Sequence, residues 1–406
     1  MSRLEELIQQ LCPDGVDYKR IEEVAECIAG ATPKTSVPAY WENGTIPWMS
    51  SGEVNNRIVC DTETRITQKG YDSCSTKLVP PNTVVIALAG QGKTRGTVAI
   101  TRIELCTNQS LCSIVSTAEL LPDFLFHYLS GQYTKLRDIS SGDGTRGGLN
   151  LKMIRNFRVP VPPLEVQQEI VRILDQFTEL TAELTAELTA RKKQYEYYRD
   201  ELLTFGNDVP MKALGDVCNV IAGGTPSKKY SDYWNAGTIK WLGSTVCKNQ
   251  KTVDEITGYI TKKGLFESSA KIMGEGTTLI ALVGATIGKV AFLPFAAAIN
   301  QNIAGIYPKN VEIMLPSYVY YACTTLYPKF LALTQGTKLA MANMSFVRAL
   351  QIPIPPIEEQ HRIVSILDRF DALCNDLTSG LPAEIEARRK QYEYYRDKLL
   401  TFPEKH

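Results

Sequence analysis

The chain lacks any apolar run that could cross a membrane, and its start lacks an apolar leader. It has 406 residues, and its longest candidate run, Val290 to Ile299, is interrupted by Pro294. That run is far shorter than the ~18 residues that a membrane-spanning helix needs. The first residues, MSRLEELIQQL, are charged, unlike a secretory signal. We therefore expect a cytoplasmic protein of two or three domains, with no membrane partner.

Metal-ligand spacing is missing as well. The chain has ten cysteines and only three histidines, and no two cysteines form Cys-x-x-Cys. The closest pair, Cys106 and Cys112, has five residues between its members, which does not match a zinc site. We predict reduced, mostly buried thiols and no metal site. His127, in an apolar helical stretch, and His361, at a polar helix start, are interpreted as structural.

Common catalytic motifs are also absent. The chain has no Gly-x-Ser-x-Gly, no His-Glu-x-x-His and no Gly-x-Gly-x-x-Gly after a strand. The Pro-Pro segments VPPL and IPPI lack the acid or amide and the aromatic residue of an amino-methyltransferase motif. With so few histidines, acid–base catalysis has few candidate residues.

One stretch, ALAGQGKT (Ala87–Thr94), does match the pattern of a phosphate-binding loop. Such a loop needs a helix after it, because the helix N-terminus holds the phosphates. The residues that follow, RGTVAIT, are β-branched and broken by Gly96, which predicts a strand. We interpret the stretch as a glycine-rich hairpin loop and keep a nucleotide-binding enzyme only as an alternative.

The chain carries no net charge, with 44 basic and 44 acidic residues, which argues against a strongly basic nucleic-acid binder. The balance is uneven, however. Residues 206–356 hold 14 basic and 8 acidic residues, whereas 164–205 and 357–406 together hold 13 basic and 19 acidic residues. Residues 1–163 hold 17 of each. The acidic excess therefore lies on two segments.

The chain repeats itself, and Ile28 and its counterpart Ile221 lie 193 positions apart. This period is far longer than that of a solenoid, so it indicates a domain duplication. The repeated motifs are IAGATP and IAGGTP, YWENGTIPW and YWNAGTIKW, VPVPPLEVQQEIVRILDQF and IPIPPIEEQHRIVSILDRF, and KQYEYYRDELLTF and KQYEYYRDKLLTF. The middles, Asn56–Ser75 and Lys251–Ala270, are largely different. We interpret the two copies as one scaffold that presents two different recognition surfaces.

Two helical stretches follow the Pro-Pro pairs. From Gln167 to Phe205, the stripe residues recur at alternating spacings of four and three, which is the heptad pattern of a coiled coil. The resulting helix is roughly 58 Å long at ~1.5 Å per residue. The second stretch, Ile363 to Phe402, has four extra residues, with Gly380 and Pro382 inside, which predicts a break or kink. A core-facing helix is the alternative for either stripe, but their matching registers favour packing against each other.

The fold class that we predict is α+β, with two duplicated mixed α/β domains separated by two long helices that form an antiparallel coiled coil. Within each domain, TVVIALAG and TTLIALVG predict buried strands of a strongly bent sheet, and LPDFLFHYLSGQ and LPSYVYYACTT predict short helices. The predicted segments are an N-terminal helix near the C-terminal helix end (1–16), a first domain (17–163), a central helical spacer (164–205), a second domain (206–356) and a C-terminal helical spacer (357–406).

These motifs resemble the DNA-specificity subunit of Type I restriction–modification systems over essentially the whole chain. The resemblance depends on GGTPSKKYSDYWNAGTIKW, PIPPIEEQHRIVSILDRF and RRKQYEYYRDKLLTF. The tandem TAEL units at Thr181–Ala190 and the ending TSGLPAEIEARRKQYEYYRD are similar to those of the IC subfamily.

The resemblance implies a non-catalytic subunit with two target-recognition domains, each reading one half of a bipartite site in double-stranded DNA. It implies that the two helical spacers pair and set the number of unread base pairs. It further implies two modification (methyltransferase) subunits and restriction/translocase subunits as partners. S-adenosylmethionine, ATP and Mg would then belong to those partners, and this chain itself would bind no cofactor.

Polar loop residues are our candidates for DNA contact, because such side chains read base edges and phosphates. In the first domain they are Thr32, Lys34, Lys93, Thr94, Arg95, Gln109 and Arg146. In the second they are Thr225, Ser227, Lys228, Lys229, Thr286, Lys289, Gln301 and Lys338. Asn108-Gln109 and Asn300-Gln301 recur in both copies, so a scaffold role for them stays open.

Two hypotheses and one further alternative complete the sequence-based picture. A near-neutral chain makes few phosphate contacts, so we expect the subunit alone to bind DNA weakly. One additional TAEL unit lengthens a helix by ~6 Å and is expected to widen the DNA spacer by one or two base pairs. The further alternative is a structural coiled-coil adaptor that does not contact DNA.

Overall fold

The computed structural model describes residues 2–90, 94–140, 148–333, 341–376 and 379–405. The chain divides into two units, one made of residues 1–183 with 386–406 and the other of residues 184–385. Each unit thus combines a globular part with portions of two long helices. The division into five segments stays a prediction.

The first unit contains ten strands and seven helices in the described ranges. Its strands are β1 (Tyr18–Arg20), β2 (Ala25–Ala29), β3 (Ile46–Met49), β4 (Ile58–Val59), β5 (Thr64–Ile66), β6 (Val84–Ala87), β7 (Val98–Thr101), β8 (Cys106–Thr107), β9 (Leu111–Ser116) and β10 (Arg158–Pro160). Its helices are α1 (Arg3–Leu11), α2 (Ile21–Val24), α3 (Gln68–Asp72), α4 (Pro122–Gly131), α5 (Tyr133–Asp138), α6 (Leu151–Arg155) and α7 (Leu164–Leu202), the last of which continues into the second unit.

The second unit follows the same plan. Its strands are β11 (Met211–Ala213), β12 (Cys218–Ala222), β13 (Ile239–Leu242), β14 (Gln250–Thr252), β15 (Gly258–Ile260), β16 (Lys271–Met273), β17 (Thr278–Ala281), β18 (Val290–Phe292), β19 (Ala297–Ile299), β20 (Ile303–Pro308) and β21 (Gln351–Pro353). Its helices are α8 (Leu214–Val217), α9 (Lys262–Phe266), α10 (Pro316–Thr324), α11 (Tyr327–Ala332), α12 (Met344–Ala349), α13 (Ile357–Asn375) and α14 (Leu381–Leu399), and α14 ends in the first unit.

One sheet topology occurs in both units. The five-stranded sheet has the order β2-β9-β6-β7-β4 in the first and β12-β20-β17-β18-β14 in the second. A smaller sheet has the order β5-β3-β8 or β15-β13-β19-β16, and a ribbon pairs β1 with β10 or β11 with β21. The duplication is therefore structural as well as sequential.

The single strongly bent sheet predicted for each unit is wrong, because each unit has separate sheets. Tight turns at Asn108 and Asn300 carry the chain out of the small sheet and into the large one. The side-chain oxygen of Asn108 accepts a hydrogen bond from the Ser110 amide at 3.0 Å, and Asn300 does the same for Asn302 at 3.0 Å. These bonds satisfy backbone donors that a continuous strand would have paired with a neighbour.

In each unit a short helix packs between the large sheet and the start of a long helix. In the first unit, Phe124 and Leu129 of α4 share a core with Ile114 of β9 and with Ile170 of α7. In the second, Val319 of α10 shares a core with Ile280 and Ile363. The predicted short helices are thus confirmed, and each begins at a proline, whose missing N–H costs nothing in a first turn.

The long helices also agree with the prediction. Helix α7 spans 39 residues, which is about 58 Å at 1.5 Å per residue. In the second unit Tyr198 of α7 stacks on Phe370 of α13 at 5.7 Å, whereas Lys192 lies within electrostatic reach of Cys374. Rising residue numbers on α7 therefore meet falling numbers on α13, so these two segments run antiparallel.

The break predicted at Gly380 is confirmed, because α13 ends at Asn375 and α14 begins at Leu381. A Cβ at Gly380 would lie 2.6 Å from the Ala372 carbonyl oxygen and 2.7 Å from that of Asp376. Only glycine fits this close approach without a shift of the backbone.

A smaller prediction, on the cysteines, is confirmed as well. The thiols are free, and eight of the ten are buried. Separately, the Val16 amide donates to the Pro403 carbonyl at 2.9 Å, four residues beyond the end of α14. None of the helices in the described ranges is both long enough and apolar enough to span a bilayer.

Candidate nucleic-acid interface

The stretch ALAGQGKT begins with Ala87, the last residue of β6, and ends with Thr94, which precedes β7. Strands β6 and β7 are antiparallel, and the amide of Gly96 donates to the Ala87 carbonyl at 2.9 Å. In the second unit β17 and β18 pair in the same way, joined by a short 3-10 turn at Gly284–Thr286. A strand therefore follows Thr94, as predicted, and the described residues from Thr94 to Thr101 do not form the helix that a phosphate loop requires.

The repeated IAGATP and IAGGTP motifs form a loop held by two tryptophans. The indole N–H of Trp48 donates to the Ala31 carbonyl at 3.0 Å, and that of Trp41 donates to the Lys34 carbonyl at 3.2 Å. The two rings meet edge to face, with centroids 5.2 Å apart. Trp241 and Trp234 hold the second loop through Gly224 and Ser227 in the same way. The motif residues that both copies share thus build the loop, and the side chains between them are left at its surface.

Four of the predicted residues form two hydrogen-bonded pairs, one at the loop of each unit. The Thr32 hydroxyl donates to the side-chain oxygen of Gln109, and the Thr225 hydroxyl donates to that of Gln301 at 2.5 Å. Asn108 makes the turn, whereas Gln109 is exposed. The asparagine and the glutamine of the repeated Asn-Gln motif therefore have different roles. The asparagine is scaffold, whereas the glutamine and threonine form a surface pair that can still offer its amide N–H₂ to a ligand.

Cationic and hydroxyl side chains flank each pair. Lys34 follows Thr32 on the first loop, and Ser227, Lys228 and Lys229 follow Thr225 on the second; all four are exposed. In the part of the chain that the structure describes, these lysines lie in no ion pair. Such cations at a loop surface are suited to phosphate contacts.

The hairpin loops are less accessible at their base. Arg95 is only 6% exposed, which argues against its side chain as a direct DNA contact. Thr94, Thr286 and Lys289 are half-buried, and the Lys289 amide closes the second turn on the Thr286 carbonyl at 2.9 Å. Three more predicted residues lie outside the described residues: Lys93, Arg146 and Lys338.

The divergent segments, residues 56–75 and 251–270, have one skeleton in both units. Each carries two short strands, the first of which begins at Gln250 in the second unit, and a short helix, α3 or α9. The threonine before each helix caps it and donates from its hydroxyl to a backbone carbonyl at 2.8 Å. Gly70 and Gly264 sit where a Cβ would lie 2.5 and 2.6 Å from a tyrosine carbonyl. The short helix and its cap are therefore shared, and the exposed side chains that this helix carries differ between the copies.

The outward positions on these helices were missed by residue-level sequence reasoning. Gln68 and Asp72 of α3 stand where α9 has Lys262 and Phe266, and the phenylalanine is 81% exposed. In a DNA groove, an exposed apolar ring can contact a thymine methyl or insert at a base step. The signal that could have found these residues was the divergence of the segment itself.

Several lysines of the second unit are already paired with carboxylates. Lys263 binds Asp232 at 2.5 Å, and this hydrogen bond lowers the pKa of the Asp232 carboxyl. Lys248 contacts Glu255 at 3.0 Å and Asp254 at 3.5 Å, and the Glu255 hydrogen bond raises the pKa of the Lys248 ammonium. These paired lysines are less available to a ligand than Lys228 and Lys229, which are exposed and lie in no ion pair among the described residues.

A duplicated α+β fold with two loop surfaces of different chemistry and a long helical connection defines a protein with two recognition modules. A family model described as the Type I restriction modification DNA specificity domain matches residues 13–191 and again residues 207–387. The chain belongs to this family.

Named relatives and solved structures agree with this assignment. The chain is 38% identical over 291 residues to the type I restriction enzyme EcoR124I/EcoR124II specificity subunit of Escherichia coli, covering 69% of this chain and 70% of that protein. It is 35% identical over 295 residues to a type I restriction enzyme specificity subunit of Haemophilus influenzae, covering 69% and 72%.

Two solved structures share the fold. One comes from a study of complex assembly and conformational transition of the type I R-M system, with a TM-score of 0.64, 19% identity and coverage of 96% of this chain and 98% of that chain. The other is the S subunit of a Type-I restriction-modification system from M. genitalium, with a TM-score of 0.57, 14% identity and coverage of 95% and 96%.

Proposed function

We propose that this chain is the DNA-specificity subunit of a type I restriction–modification complex. Each globular part reads one half of a bipartite double-stranded DNA target, and the long helices set the number of unread base pairs between the halves. One observation supports this most strongly. The same topology and the same loop anchors occur twice, and the exposed residues of segments 56–75 and 251–270 differ between the copies.

Within each unit, we propose a division of labour between shared and divergent residues. Shared residues such as Thr32 with Gln109 and Thr225 with Gln301 suit contacts that any DNA offers, which are phosphates and sugars. Divergent outward residues, such as Asp72 and Phe266, suit base edges, which differ between half-sites. All predicted DNA-contact residues remain proposals.

Catalysis belongs to partner subunits in this proposal. Two modification subunits methylate DNA with S-adenosylmethionine, restriction/translocase subunits use ATP and Mg, and the chain itself is a non-catalytic cytoplasmic recruiter. The relatives support this reading, since they are specificity subunits of type I restriction enzymes.

Methylome sequencing of a host that carries this chain together with a modification subunit tests the proposal. We expect methylation at one bipartite sequence with a fixed spacer, and none at that sequence in a host that lacks only this chain. Methylation of a contiguous site, or no dependence on the chain, would contradict the proposal.

Two alternatives from the sequence are separated by simple measurements. For a nucleotide-dependent enzyme, calorimetry with ATP and Mg would show binding to the purified chain, whereas we expect none. For an adaptor without DNA contact, replacing residues 17–163 by another such domain would leave the methylated sequence unchanged, whereas we expect one half-site to change.

A further inference from the structure

A chain of polar contacts in the first unit joins the start of its divergent segment to both of its long helices. A guanidinium N–H of Arg57 donates to the Tyr392 hydroxyl of α14 at 3.2 Å. That hydroxyl lies 2.9 Å from Nδ1 of His127 on α4, and Nε2 of His127 lies 2.9 Å from the Asp175 carboxylate on α7. Arg57 also lies over two aromatic rings, with centroids 5.4 Å away for Tyr392 and 5.8 Å away for Phe126.

The hydrogen-bond donors and acceptors in this series of contacts match when each bond donates in the direction from Arg57 through Tyr392 and His127 to Asp175. If Nε2 of His127 carries the hydrogen, it donates to Asp175 and leaves Nδ1 as an acceptor. The Tyr392 O–H then donates to Nδ1, and its oxygen accepts from Arg57. His127 is 1% exposed and Tyr392 is 5% exposed, so the bond between them forms away from solvent, whereas Arg57 and Asp175 at the two ends are exposed.

The second unit has a corresponding junction with different side chains. Lys251, at the start of the second divergent segment, binds the Asp368 carboxylate of α13. The Tyr321 hydroxyl of α10 donates to the same carboxylate at 2.5 Å. Nζ of Lys251 lies 5.2 Å from the Tyr321 ring centroid and 5.6 Å from that of Phe292.

The helix residues of the two junctions correspond in the repeat. Asp175 and Asp368 occupy the same place in ILDQF and ILDRF, and His127 and Tyr321 occupy the same place on α4 and α10. The cation comes from the divergent segment in both units, as arginine in one and lysine in the other. Different side chains therefore link the divergent segment to a long helix in both units. Such a recurrence is expected when the link itself is functionally important.

The strand beside each cation is poorly held by the sheet. Strand β4 is a two-residue edge strand that pairs only through Ile58 and Val59, and β14 is an edge strand with an irregular register. An edge strand this short has few ladder hydrogen bonds to define its position. The cation–aromatic contacts and charge-assisted bonds supply the missing constraint. Those of the second unit gain strength from partial burial, since the Lys251 side chain is 18% exposed.

We infer that Arg57 and Lys251 are positioning residues that fix each divergent segment on the helices of its own unit, and so set the spacer length at which a half-site is accepted. This inference rests on the proposed function. Arg57 contacts no base in this account, and it acts through Tyr392, His127 and Asp175.

The test is methylation by the full complex containing R57A, measured on DNA with the native spacer and with spacers one base pair shorter and longer. We expect the preference for the native spacer to fall about fivefold, a typical size for a coupled contact, with both half-site sequences unchanged. R57K, which installs the cation used by the second unit, should keep most of the preference. R20A is the matched control, because Arg20 is an exposed arginine paired with Glu22 and Glu23. An unchanged spacer preference in R57A, or a changed base in the half-site, overturns the inference.

Hydrogen exchange on the full chain gives a second readout that does not depend on DNA. In R57A the amides of β4 and of α7 around Asp175 should exchange faster, whereas those of β6 should not. Faster exchange at β4 alone would show that Arg57 does not act through the helices and would overturn the inference. A wild-type complex that methylates no bipartite site contradicts the proposed function instead, and the exchange result still decides the role of Arg57.

Discussion

At the scale of single residues, the shared loops carry cations that the structure leaves available for phosphates. Lys228 is exposed beside Thr225, on the loop held by Trp234 and Trp241. Each phosphate contact releases condensed counterions, so its loss lowers the salt dependence of binding in a defined way.

We therefore predict that K228A weakens DNA binding by the full complex equally on all sequences and reduces the log–log salt slope by about 0.9. Binding titrations at four salt concentrations measure this slope. K19A is the control, because Lys19 is paired with Glu119 and lies outside the candidate loops. An unchanged slope would remove Lys228 from the phosphate contacts.

The half-buried carboxyl of Asp371 predicts how the free energy of unfolding depends on pH. Asp371 of α13 is half-buried, and burial raises the pKa of its carboxyl, although a hydrogen bond from Asn375 at 2.9 Å opposes the shift. A raised pKa in the folded state means that the folded protein binds the proton more tightly than the unfolded chain. The contribution of this group to stability is therefore fully present below the unfolded pKa and is lost as the pH rises through the folded pKa.

D371N should accordingly raise the free energy of unfolding at pH 8, and its advantage should shrink as the pH is lowered towards 4. Denaturant unfolding of both proteins across this range measures the difference. If D371N unfolds more easily than the native protein at every pH, the attraction between the Asp371 carboxylate and Lys251 outweighs the cost of burying that charge, which contradicts this prediction.

At the scale of elements, the tandem TAEL units lie inside one uninterrupted helix. Residues 181–190 belong to α7, and Thr181, Leu184 and Leu188 are its least exposed side chains in that stretch. The heptad stripe thus continues through the repeat. Because each unit is four residues, an insertion adds length and also rotates the stripe.

We predict that one additional TAEL unit widens the DNA spacer by one or two base pairs, since it adds ~6 Å against ~3.4 Å per base pair. Both half-sites should stay the same. Methylome sequencing of a host with the longer chain checks this, and new half-sites with a constant spacer would show that α7 does not measure DNA.

The elements that sequence reasoning predicted well are those specified by local pattern. The stripe on α7, the break at Gly380 and the strand after Thr94 each follow from neighbouring residues, through heptad spacing, a glycine with a proline, and β-branched composition. The two separate sheets were missed, because a side-chain hydrogen bond at Asn108 decides where one sheet ends, and a strand pattern does not reveal it.

The junction of Arg57, His127, Asp175 and Tyr392 could not be predicted for a different reason. Its members are spread over most of the chain, and no local pattern relates them. The apolar helical setting of His127 indicates a structural residue, but it does not reveal which residues His127 contacts. Conversely, the candidate loops were found because Thr32 and Gln109 belong to motifs that the second copy repeats.

At the scale of the whole molecule, charge balance limits what the chain can do alone. With 44 basic and 44 acidic residues, it cannot neutralise many phosphates. We predict that the isolated chain binds its target at least about tenfold more weakly than the complex with modification subunits, because phosphate contacts supply most of the affinity. Gel-shift titrations of both species compare them, and equal affinities would contradict this view.

The central claim is that each unit specifies one half of the DNA target. It is tested most directly by replacing residues 206–356 with a second copy of residues 17–163 and sequencing the methylome of a host that carries this chimera with a modification subunit. The account predicts that both halves of the methylated site become the half-site of the first unit, with the spacer set by the retained helices. Methylation of the original pair of unlike half-sites by the chimera would contradict it.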